Sequence, residues 1–252
     1  MPALSLAMPA HNEAENIVDV LNEAVTVLES IEPDYEIVVV DDGSRDNTAN
    51  LVHEFAETHD RVRLVRHPVN QGYGAAVWTG LTSSTGERRF FTDSDAQFKF
   101  DELRLLLAEM PPADFVAGYR IVRQDPPLRK LNGWGWTSLV NLLFGYAARD
   151  VDCAFKLMRR EVVESLPVQS RGATFSAELL VRARRAGFVF REVGVTHLPR
   201  TKGTPSGAKL AVILRAFKEV LRLWKELRAH PQTAAAHSSC AAVGDSVPSS
   251  TP

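Results

Sequence analysis

The chain has little cysteine and no long apolar run. Its two cysteines, Cys153 and Cys240, lie far apart without a CxxC pair, which argues against a disulfide framework or a zinc site and fits a reducing compartment. The net charge of −2 gives no reason to expect nucleic acid as a partner. No run approaches the ~20 apolar residues that span a bilayer, and residues 1–9 lack the basic start of a signal peptide. We expect a cytoplasmic protein, at most attached to the cytoplasmic face of a membrane.

The composition is that of an ordinary globular protein, with 45% hydrophobic and 24% charged residues. Short β-branched runs alternate with segments whose apolar residues recur at helical spacing. This alternation predicts an α/β fold with a mostly parallel sheet flanked by helices. The predicted strands are residues 4–8, 36–40, 62–66, 89–92, 115–118 and 189–195, and the predicted helices are residues 15–30, 47–59, 75–83, 101–110, 175–186 and 209–228.

A polar cluster follows each of the first four predicted strands. The clusters are His11-Asn12-Glu13, Asp41-Asp42-Gly43-Ser44, Asn70-Gln71-Gly72 and Asp93-Ser94-Asp95. In open parallel sheets, ligands bind at the carboxyl ends of the strands. Four such clusters at four successive strand ends therefore predict one binding site along that edge.

Two of these clusters also have purely structural interpretations. Asn12 can cap the first helix with Glu15 at the third helical position, or the helix N-terminus can offer its N–H groups to a diphosphate or its metal. Asp41 and Asp42 can form only a turn with Gly43, or their carboxylates can accept hydrogen bonds from a nucleoside. The sequence leaves both choices open.

A glycine-rich segment follows the third predicted strand and opens a helix. It partly matches the GxGxxG dinucleotide fingerprint, but Val77 occupies the place of the third glycine and the unit is third in the chain, so the match is weak. We interpret Gly72 and Gly74 as positions where another backbone segment approaches closely.

The segment Asp93-Ser94-Asp95-Ala96-Gln97 carries the clearest indication of chemistry. A loop at the end of a strand can aim its two carboxylates and the carboxamide of Gln97 at one point. Mg²⁺ and Mn²⁺ prefer oxygen ligands, and Mg²⁺ usually combines one or two carboxylates with substrate phosphates. The segment predicts a metal-bound phosphate donor, although Asp-x-Asp is also common in plain surface loops.

Four motifs in this order and spacing resemble the family 2 glycosyltransferases of the GT-A fold, a Rossmann-like fold for nucleotide-diphospho-sugar transferases. The motifs are Pro-x-x-Asn-Glu from Pro9, Asp-Asp-Gly-Ser from Asp41, Asn-x-Gly-x-Gly-x-Ala from Asn70 and Asp-x-Asp-x-Gln from Asp93. The most similar branch contains dolichol-phosphate mannose synthase and the polyprenyl-phosphate glycosyltransferases. We expect one GT-A domain over residues 1–228, with a donor half at 1–120 and an acceptor half at 121–228. The composition of residues 229–252 predicts a disordered tail.

The resemblance implies roles for individual residues. With Asp41 and Gly72 added from the strand-end pattern, the predicted donor-binding residues are Pro9, His11, Glu13, Val40, Asp41, Asp42, Gly72, Asp93, Ser94, Asp95, Gln97, Arg120, Arg200 and Lys209. The implied metal ligands are Asp93, Asp95 and Gln97, and the implied catalytic residues are Asp95, Arg120, Asp152 and Glu178. Two residues inserted before Lys209, and Ala154 in place of a usual glycine, depart from the family pattern.

The resemblance implies an inverting hexosyltransferase that uses Mg²⁺ or Mn²⁺. It would move a hexose from GDP-mannose or UDP-glucose to a polyprenyl or dolichyl phosphate. A lipid phosphate is already an anion and needs no strong base, whereas a hydroxyl acceptor would need one, for which Glu178 or Asp152 are the candidates. A hydroxyl acceptor and a non-catalytic nucleotide-sugar-binding protein stay as alternatives. A nucleotidyltransferase would need a glycine-rich N-terminal loop that this sequence lacks.

Two segments are candidates for peripheral membrane contact. Helix 209–228 combines an apolar stripe with basic residues, and it either lies on anionic lipid or packs on the domain or on a second copy. The stripe is Leu210, Ile213, Phe217, Val220, Trp224 and Leu227. Residues 134–146, which follow Arg129 and Lys130, form either a second candidate membrane surface or a buried helix. The oligomeric state is left open.

Overall fold

The computed structural model describes residues 1–121, 126–200, 202 and 210–229, with the backbone alone at 210–214. The strands are β1 (Leu4–Ala10), β2 (Tyr35–Asp41), β3 (Val62–Arg66), β4 (Arg88–Phe91), β5 (Phe115–Arg120), β6 (Lys156–Arg159) and β7 (Phe190–Val195). The helices are α1 (Ile17–Ile31), α2 (Thr48–Thr58), α3 (Tyr73–Ser83), α4 (Leu103–Glu109), α5 (Pro127–Phe144), α6 (Arg160–Ser165), α7 (Phe175–Arg185) and α8 (Leu210–Ala229).

The seven strands of the described residues form one sheet in the order β3-β2-β1-β4-β6-β5-β7. Only β6 among them runs antiparallel to its neighbours. Strand β1 is buried along its whole length, as expected for a strand covered on both faces. The predicted α/β class with a mostly parallel sheet is confirmed.

The register of the parallel strands brings the polar clusters to one edge. Ala10 at the end of β1 lies beside Asp41 at the end of β2, and Asp41 lies beside Arg66 at the end of β3. Strand β4 pairs with β1 and ends at Phe91, two residues before Asp93. The residues that follow these four strands therefore surround one common region.

The sequence prediction missed β6 and α6. Strand β6 inserts between β4 and β5, where Phe91 pairs with Lys156 and Ala117 also pairs with Lys156. Its four residues are too few for a periodic pattern to stand out. The consequence is that the predicted donor and acceptor halves contribute strands to the same sheet.

The start of α1 corrects the interpretation of Asn12 as a helix cap. The helix begins at Ile17, and Asn16 occupies the capping position. Asn12 instead has a left-handed backbone (φ 57°), and its side-chain Oδ1 accepts a hydrogen bond from the Arg45 amide at 2.8 Å. Asn12 thus links the loop after β1 to the loop after β2.

Helix α5 is mostly exposed, which contradicts the alternative of a buried helix. Val140 is its one buried residue. The side chains of Leu128, Leu131 and Trp134 are 60–69% exposed and follow each other at three-residue spacing. The helix therefore presents an apolar face to its surroundings over its first two turns.

Helix α8 packs on the domain through its described side chains. Val220, Leu223 and Leu227 are buried, and the ring of Phe217 lies 6.1 Å from that of Trp136 on α5. Of the two alternatives for this helix, packing on the domain is therefore the observed one for residues 215–229.

Within the described ranges, no helix is both long and apolar enough to cross a bilayer. Two predictions concern residues outside those ranges: the donor contact of Lys209 and nearly all of the predicted disordered tail.

Candidate active site at the carboxyl edge of the sheet

Asp93 and Asp95 lie in the loop after β4, close enough to influence each other's ionisation. Burial and the neighbouring Asp95 carboxylate raise the pKa of Asp93 to about 7, although the Tyr73 hydroxyl hydrogen-bonds to it. Burial also raises the pKa of Asp95. Ala96 follows with a left-handed backbone (φ 58°), a conformation that costs energy for a residue with a side chain. The loop therefore holds two carboxylates in an arrangement that is unfavourable without further positive charge.

The two carboxylates fit a divalent cation that is shared with a phosphate-bearing ligand. Oδ1 of Asp93 is buried and makes no hydrogen bond to any described residue. A cation would satisfy this atom and relieve the repulsion between the two carboxylates. No group of three or more His, Cys, Asp or Glu side chains in the described chain is placed to hold a metal. A site with only two carboxylates suits Mg²⁺, which completes its coordination shell with substrate phosphates.

Arg200, which lies in the segment after β7, contacts this carboxylate cluster. Its guanidinium donates to Oε1 of Glu13 at 2.5 Å and to Oδ2 of Asp95 at 3.3 Å. The neighbouring Lys202 binds the α1 region through the Glu15 carbonyl at 3.0 Å and Asp19 at 3.2 Å. Three predicted donor residues that lie up to 187 positions apart in sequence are thus brought together.

Ser94 and Gln97 fasten the metal loop to its surroundings. The Ser94 hydroxyl donates to the carbonyl of Pro9 at 2.8 Å. The carboxamide of Gln97 donates to the carbonyl of Leu198 at 3.0 Å, and the Leu198 amide donates back to the Gln97 carbonyl at 2.8 Å. Gln97 therefore connects the metal loop to the segment that carries Arg200, while its role as a metal ligand stays a prediction.

Asp42 organises the glycine-rich loop from within. One of its oxygens accepts from His67 Nδ1 at 2.7 Å and the Gln71 amide at 2.8 Å, and the other accepts from the Gly72 amide at 2.9 Å. His67 was missed by the sequence reasoning; its position one residue past β3, at the same edge, was the available signal. Direct contact between Asp42 and the donor stays a prediction.

Asp41 is fully buried beside Asp42 but is less well satisfied. Its Oδ1 accepts from the Ser44 amide at 3.2 Å. Its Oδ2 lies 3.7 Å from Nε of Arg66 and has no hydrogen bond from the part of the chain described. An acceptor atom therefore remains available near the predicted nucleoside position.

The loops after β1 and β2 hold each other through side chains. The amides of Asn12 and Glu13 donate to Ser44 Oγ and Thr48 Oγ1, both at 2.9 Å. These two N–H groups are therefore occupied, and the expectation that they bind a diphosphate is not supported by the geometry. His11 is exposed at the rim of the same loop.

Val40 does not present its side chain to this edge. It is fully buried with Val38 and Ala76 in a small apolar cluster beneath α3. Its predicted contact with the donor cannot involve the side chain, since the pleat of β2 directs that side chain into the sheet's covered face.

Gly72 and Gly74 allow a second loop to approach closely, as the sequence interpretation proposed. A Cβ on Gly72, which has φ 105°, would lie 2.5 Å from the Arg171 carbonyl oxygen, and one on Gly74 would lie 2.5 Å from Cβ of Phe175. The Arg171 carbonyl accepts from the Ala75 amide at 3.1 Å. Residues 170–172 therefore rest directly on the start of α3.

Arg120 is held by a carboxylate that the sequence reasoning missed. Its Nε and terminal nitrogen donate to the two oxygens of Asp150, both at 2.7 Å. Although burial opposes it, this pairing raises the pKa of Arg120 above its usual value. Asp152, predicted to be catalytic, is exposed nearby. In the sequence, only the acidic character of Asp150, close to the predicted Asp152, could have indicated that it pairs with Arg120.

Lys156 supplies a buried positive charge beneath the metal loop. Its ammonium donates to the carbonyls of Val151 and Cys153 and lies 5.5 Å from the ring centre of Phe91. Burial lowers the pKa of Lys156, and its charge in turn opposes the rise in the pKa of Asp93. The sequence analysis gave this lysine no role.

Glu178 lies away from this cluster in a fully paired environment. It is buried on α7, and its oxygens accept from the Gln169 amide at 3.2 Å, the Ser170 amide at 2.7 Å and Arg182 Nε at 2.6 Å. This is the geometry of a loop anchor. Its predicted catalytic role receives no support from these contacts.

The family model described as glycosyl transferase family 2 matches residues 5–166. The chain belongs to this family. The matched range contains all four strand-end clusters and Arg120, and it ends before Glu178 and Arg200. The family predicted from the motifs is therefore confirmed.

Two curated relatives indicate the branch. Dolichyl-phosphate beta-glucosyltransferase ALG5C of Trichomonas vaginalis is 36% identical over 210 residues, which is 76% of this chain and 62% of that protein. Dolichyl-phosphate beta-glucosyltransferase of Dictyostelium discoideum is 27% identical over 249 residues, covering 88% and 76%. The chain spans less than two thirds of the length of the Trichomonas relative. Both names agree with the predicted polyprenyl-phosphate branch.

A solved structure shares the fold. Glucosyl-3-phosphoglycerate synthase from Mycobacterium tuberculosis, crystallised with Mn²⁺, UDP and glucosyl-3-phosphoglycerate, superposes with a TM-score of 0.65 at 19% identity and covers 88% of this chain and 80% of its own. At this identity the likeness concerns the fold alone, and the predicted GT-A fold is confirmed.

Proposed function

We propose that this family 2 member is a hexosyltransferase that moves a hexose from a nucleotide sugar to a polyprenyl or dolichyl phosphate, with inversion at the anomeric carbon. The observation that carries the proposal is the meeting of Asp93, Asp95, Glu13 and Arg200 at one edge of the sheet. Three carboxylates grouped around one arginine keep an excess of negative charge, which suits a divalent cation, and the arginine can also pair with a diphosphate.

UDP-glucose is the first donor to test, ahead of GDP-mannose. The two relatives are named as glucosyltransferases, and the structural neighbour was crystallised with UDP. The buried acceptor Oδ2 of Asp41 lies at the end of β2, where the donor's base or ribose would approach. Either base carries N–H groups that such an atom can accept from, so the donor's identity is decided by experiment.

Asp93 and Asp95 would hold the cation, with Gln97 as a third oxygen ligand. When bound, Mg²⁺ or Mn²⁺ offsets the negative charge that gathers on the leaving diphosphate. The chain's own contribution is Arg200, whose guanidinium is already held at the carboxylates by Glu13 and can pair with diphosphate oxygens. Arg120 is fixed in direction by Asp150, and its charge is near enough to Asp93 to oppose the rise in that residue's pKa.

The hydrogen bonds that Glu178 already accepts favour a phosphate acceptor over a hydroxyl acceptor. A hydroxyl must lose its proton to a base near the line of attack, whereas a lipid phosphate is already ionised. Glu178 is occupied by Arg182 and two amides, so it is poorly placed to accept a proton. This leaves the exposed Asp152 as the candidate base if the acceptor is a hydroxyl.

We also propose that the exposed face of α5 contacts the membrane that holds the acceptor. Leu128, Leu131 and Trp134 are exposed on its first turns, next to the exposed basic residues Arg129 and Lys130. The guanidinium of Arg129 is near enough to Asp95 to oppose the rise in that residue's pKa. The apolar face therefore lies beside the candidate site, where a lipid phosphate would enter.

Transfer is tested by incubating the protein with labelled UDP-glucose or GDP-mannose, polyprenyl phosphate and Mn²⁺ or Mg²⁺. We expect label in an organic-soluble product with one of the two donors. Label released only as water-soluble sugar would mean transfer to water and would reject polyprenyl phosphate as the acceptor. No transfer and no binding of either nucleotide would reject the enzymatic proposal.

Membrane contact is tested with Leu131→Gln and Trp134→Gln in vesicles that contain anionic lipid. We expect vesicle binding to fall while transfer to a short, detergent-dispersed polyprenyl phosphate is kept. Leu105→Gln, which alters an exposed leucine on α4, is the matched control. Equal vesicle binding by all three variants and the unaltered protein would reject the α5 surface.

A further inference from the structure

Arg182 connects two helices through one buried guanidinium. On α7, its Nε donates to Oε1 of Glu178 at 2.6 Å, and on the other side its terminal nitrogen donates to Oε1 of Glu226 on α8 at 2.7 Å. The side chains of Arg182 and Glu178 are 2% exposed, and that of Glu226 is 38% exposed. The pairing strengthens each bond because donor and acceptors are charged.

Glu178 links Arg182 to the loop before α7. Its two oxygens accept from the amides of Gln169 and Ser170. A neutral acceptor would hold these amides less strongly than a carboxylate does. The position of residues 169–170 therefore depends on the orientation of the Glu178 carboxylate, which Arg182 fixes.

The same loop supports the glycine-rich segment at the candidate site. The carbonyl of Arg171 accepts from the Ala75 amide and lies against Gly72, and the Gly72 amide donates to Asp42. Gly72 therefore contacts both Arg171 and Asp42. A shift of residues 169–172 must change the start of α3.

The connection between α8 and this loop is polar rather than close-packed. A cavity of about 460 Å³ separates the polar side of α8 from residues 70–72 and 169–172. Glu226 bridges it through Arg182, and Glu219 bridges it by accepting from the Thr174 hydroxyl at 2.7 Å. Leu223 is the one apolar residue of α8 that lines this cavity, and the others are Arg215, Glu219, Arg222 and Glu226. The polar bridges therefore carry the coupling to the loop.

We propose that Arg182 and Glu226 are positioning residues for the nucleotide donor: the docked α8 sets the geometry of the Gly72–Ala75 segment through Arg182, Glu178 and the loop at 169–171. The proposal rests on the proposed function, because it takes Gly72 and Asp42 as part of the donor site. It assigns α8 a role in donor affinity although none of its described side chains contacts the carboxylate cluster.

The decisive variant is Glu226→Gln in the full chain. Glu226 is partly exposed, so the variant is expected to fold, and it keeps a neutral acceptor while removing the charge. We expect the Kd of UDP with Mn²⁺ to rise about fivefold, the difference between a charged and a neutral hydrogen bond. Hydrogen exchange at the amides of Gln169 and Ser170 should accelerate, and Tm should change little. Transfer should show a raised donor KM with kcat nearly kept.

Glu54→Gln on the exposed surface of α2 makes the same change in charge and should leave both Kd and exchange unaltered. Unchanged exchange at residues 169–170 in Glu226→Gln would overturn the proposed coupling. Faster exchange with an unaltered Kd would overturn its effect on the donor. If the unaltered protein binds neither UDP nor GDP, the proposed function fails, and the exchange data still decide whether α8 holds the loop.

Discussion

Two groups of partly or fully buried carboxylates in this protein have different surroundings. Asp93 and Asp95 lie side by side; Arg200 pairs with Asp95, but one oxygen of Asp93 has no hydrogen bond from the described chain, and we call these two residues the unsatisfied pair. Glu178 is at least as deeply buried, but an arginine and two amides satisfy it. Burial of a charge is costly unless it is paired. The comparison indicates that Asp93 and Asp95 are arranged to bind a ligand, whereas the Glu178 carboxylate stabilises the fold.

The largest expected effect comes from removing a charge of the unsatisfied pair. Asp95→Asn should lower the rate of sugar transfer about 10²–10³-fold, the usual loss when one stabilising group is removed from an active site. The protein should stay folded, because Asn fills the same space and the native repulsion from Asp93 is removed. Transfer is measured as label in the organic phase, and folding by circular dichroism.

Asp101→Asn makes the same change on an exposed turn and serves as the control. Retention of full transfer activity by Asp95→Asn would contradict the assignment of the Asp93–Asp95 pair to the cation and would leave the site without its central group.

Removing the satisfied carboxylate should act on stability instead. Glu178→Ala leaves the Arg182 guanidinium buried with only one acidic partner and frees two amides, so the free energy of unfolding should fall by about 3–5 kcal/mol. Urea unfolding measures this loss. Glu54→Gln, an exposed change, should stay within about 0.5 kcal/mol. A Glu178→Ala protein of unaltered stability that loses transfer would restore Glu178 as a catalytic candidate.

The contrast also explains what could be predicted from the sequence. Asp41, Asp42, Asp93 and Asp95 all lie at or just after the ends of buried strands, and the parallel arrangement alone brings such strand ends to one edge. The partners of these groups could not be predicted, because they come from distant segments. Arg200 reaches Glu13 across 187 positions. Sequence pattern locates polar groups but does not state which of them are already satisfied.

Helix α5 shows the same limit for apolar residues. Its apolar composition suggested a buried helix, yet Leu131 and Trp134 are exposed. Burial depends on which neighbour covers a face, and periodicity within one segment cannot show that neighbour. The short strand β6 was missed for a related reason, since its pairing with β4 and β5 is a non-local property.

A smaller effect should appear as a pH dependence that comes from the raised pKa of Asp93. The pKa of Asp93 is about 7 in the folded protein and near 3.9 in the unfolded chain, so the native state holds a proton that the unfolded chain has released between these values. Stability without metal should therefore fall as pH rises from about 4 to about 7. Asp93→Asn cannot ionise and should have a Tm several degrees higher than the unaltered protein at pH 8, with little difference at pH 4.

The Tm comparison is made in a chelator, because a bound cation would stabilise the ionised pair and reduce the difference. Adding Mn²⁺ at pH 8 should raise Tm of the unaltered protein more than that of Asp93→Asn. An equal Tm for both proteins at pH 8 in chelator would mean that Asp93 is not destabilised by its surroundings.

The smallest effect tests the contrast inside the metal loop itself. Ser94 lies between the two aspartates, yet its hydroxyl is satisfied by the Pro9 carbonyl. Like Glu178, Ser94 therefore has a polar group that is already hydrogen-bonded, in contrast to its neighbour Asp93. Ser94→Ala should cost about 1 kcal/mol of unfolding free energy, the net contribution of one hydrogen bond, and lower transfer less than tenfold. A loss of transfer as large as that of Asp95→Asn, at unaltered stability, would instead place the Ser94 hydroxyl among the groups that contact the donor.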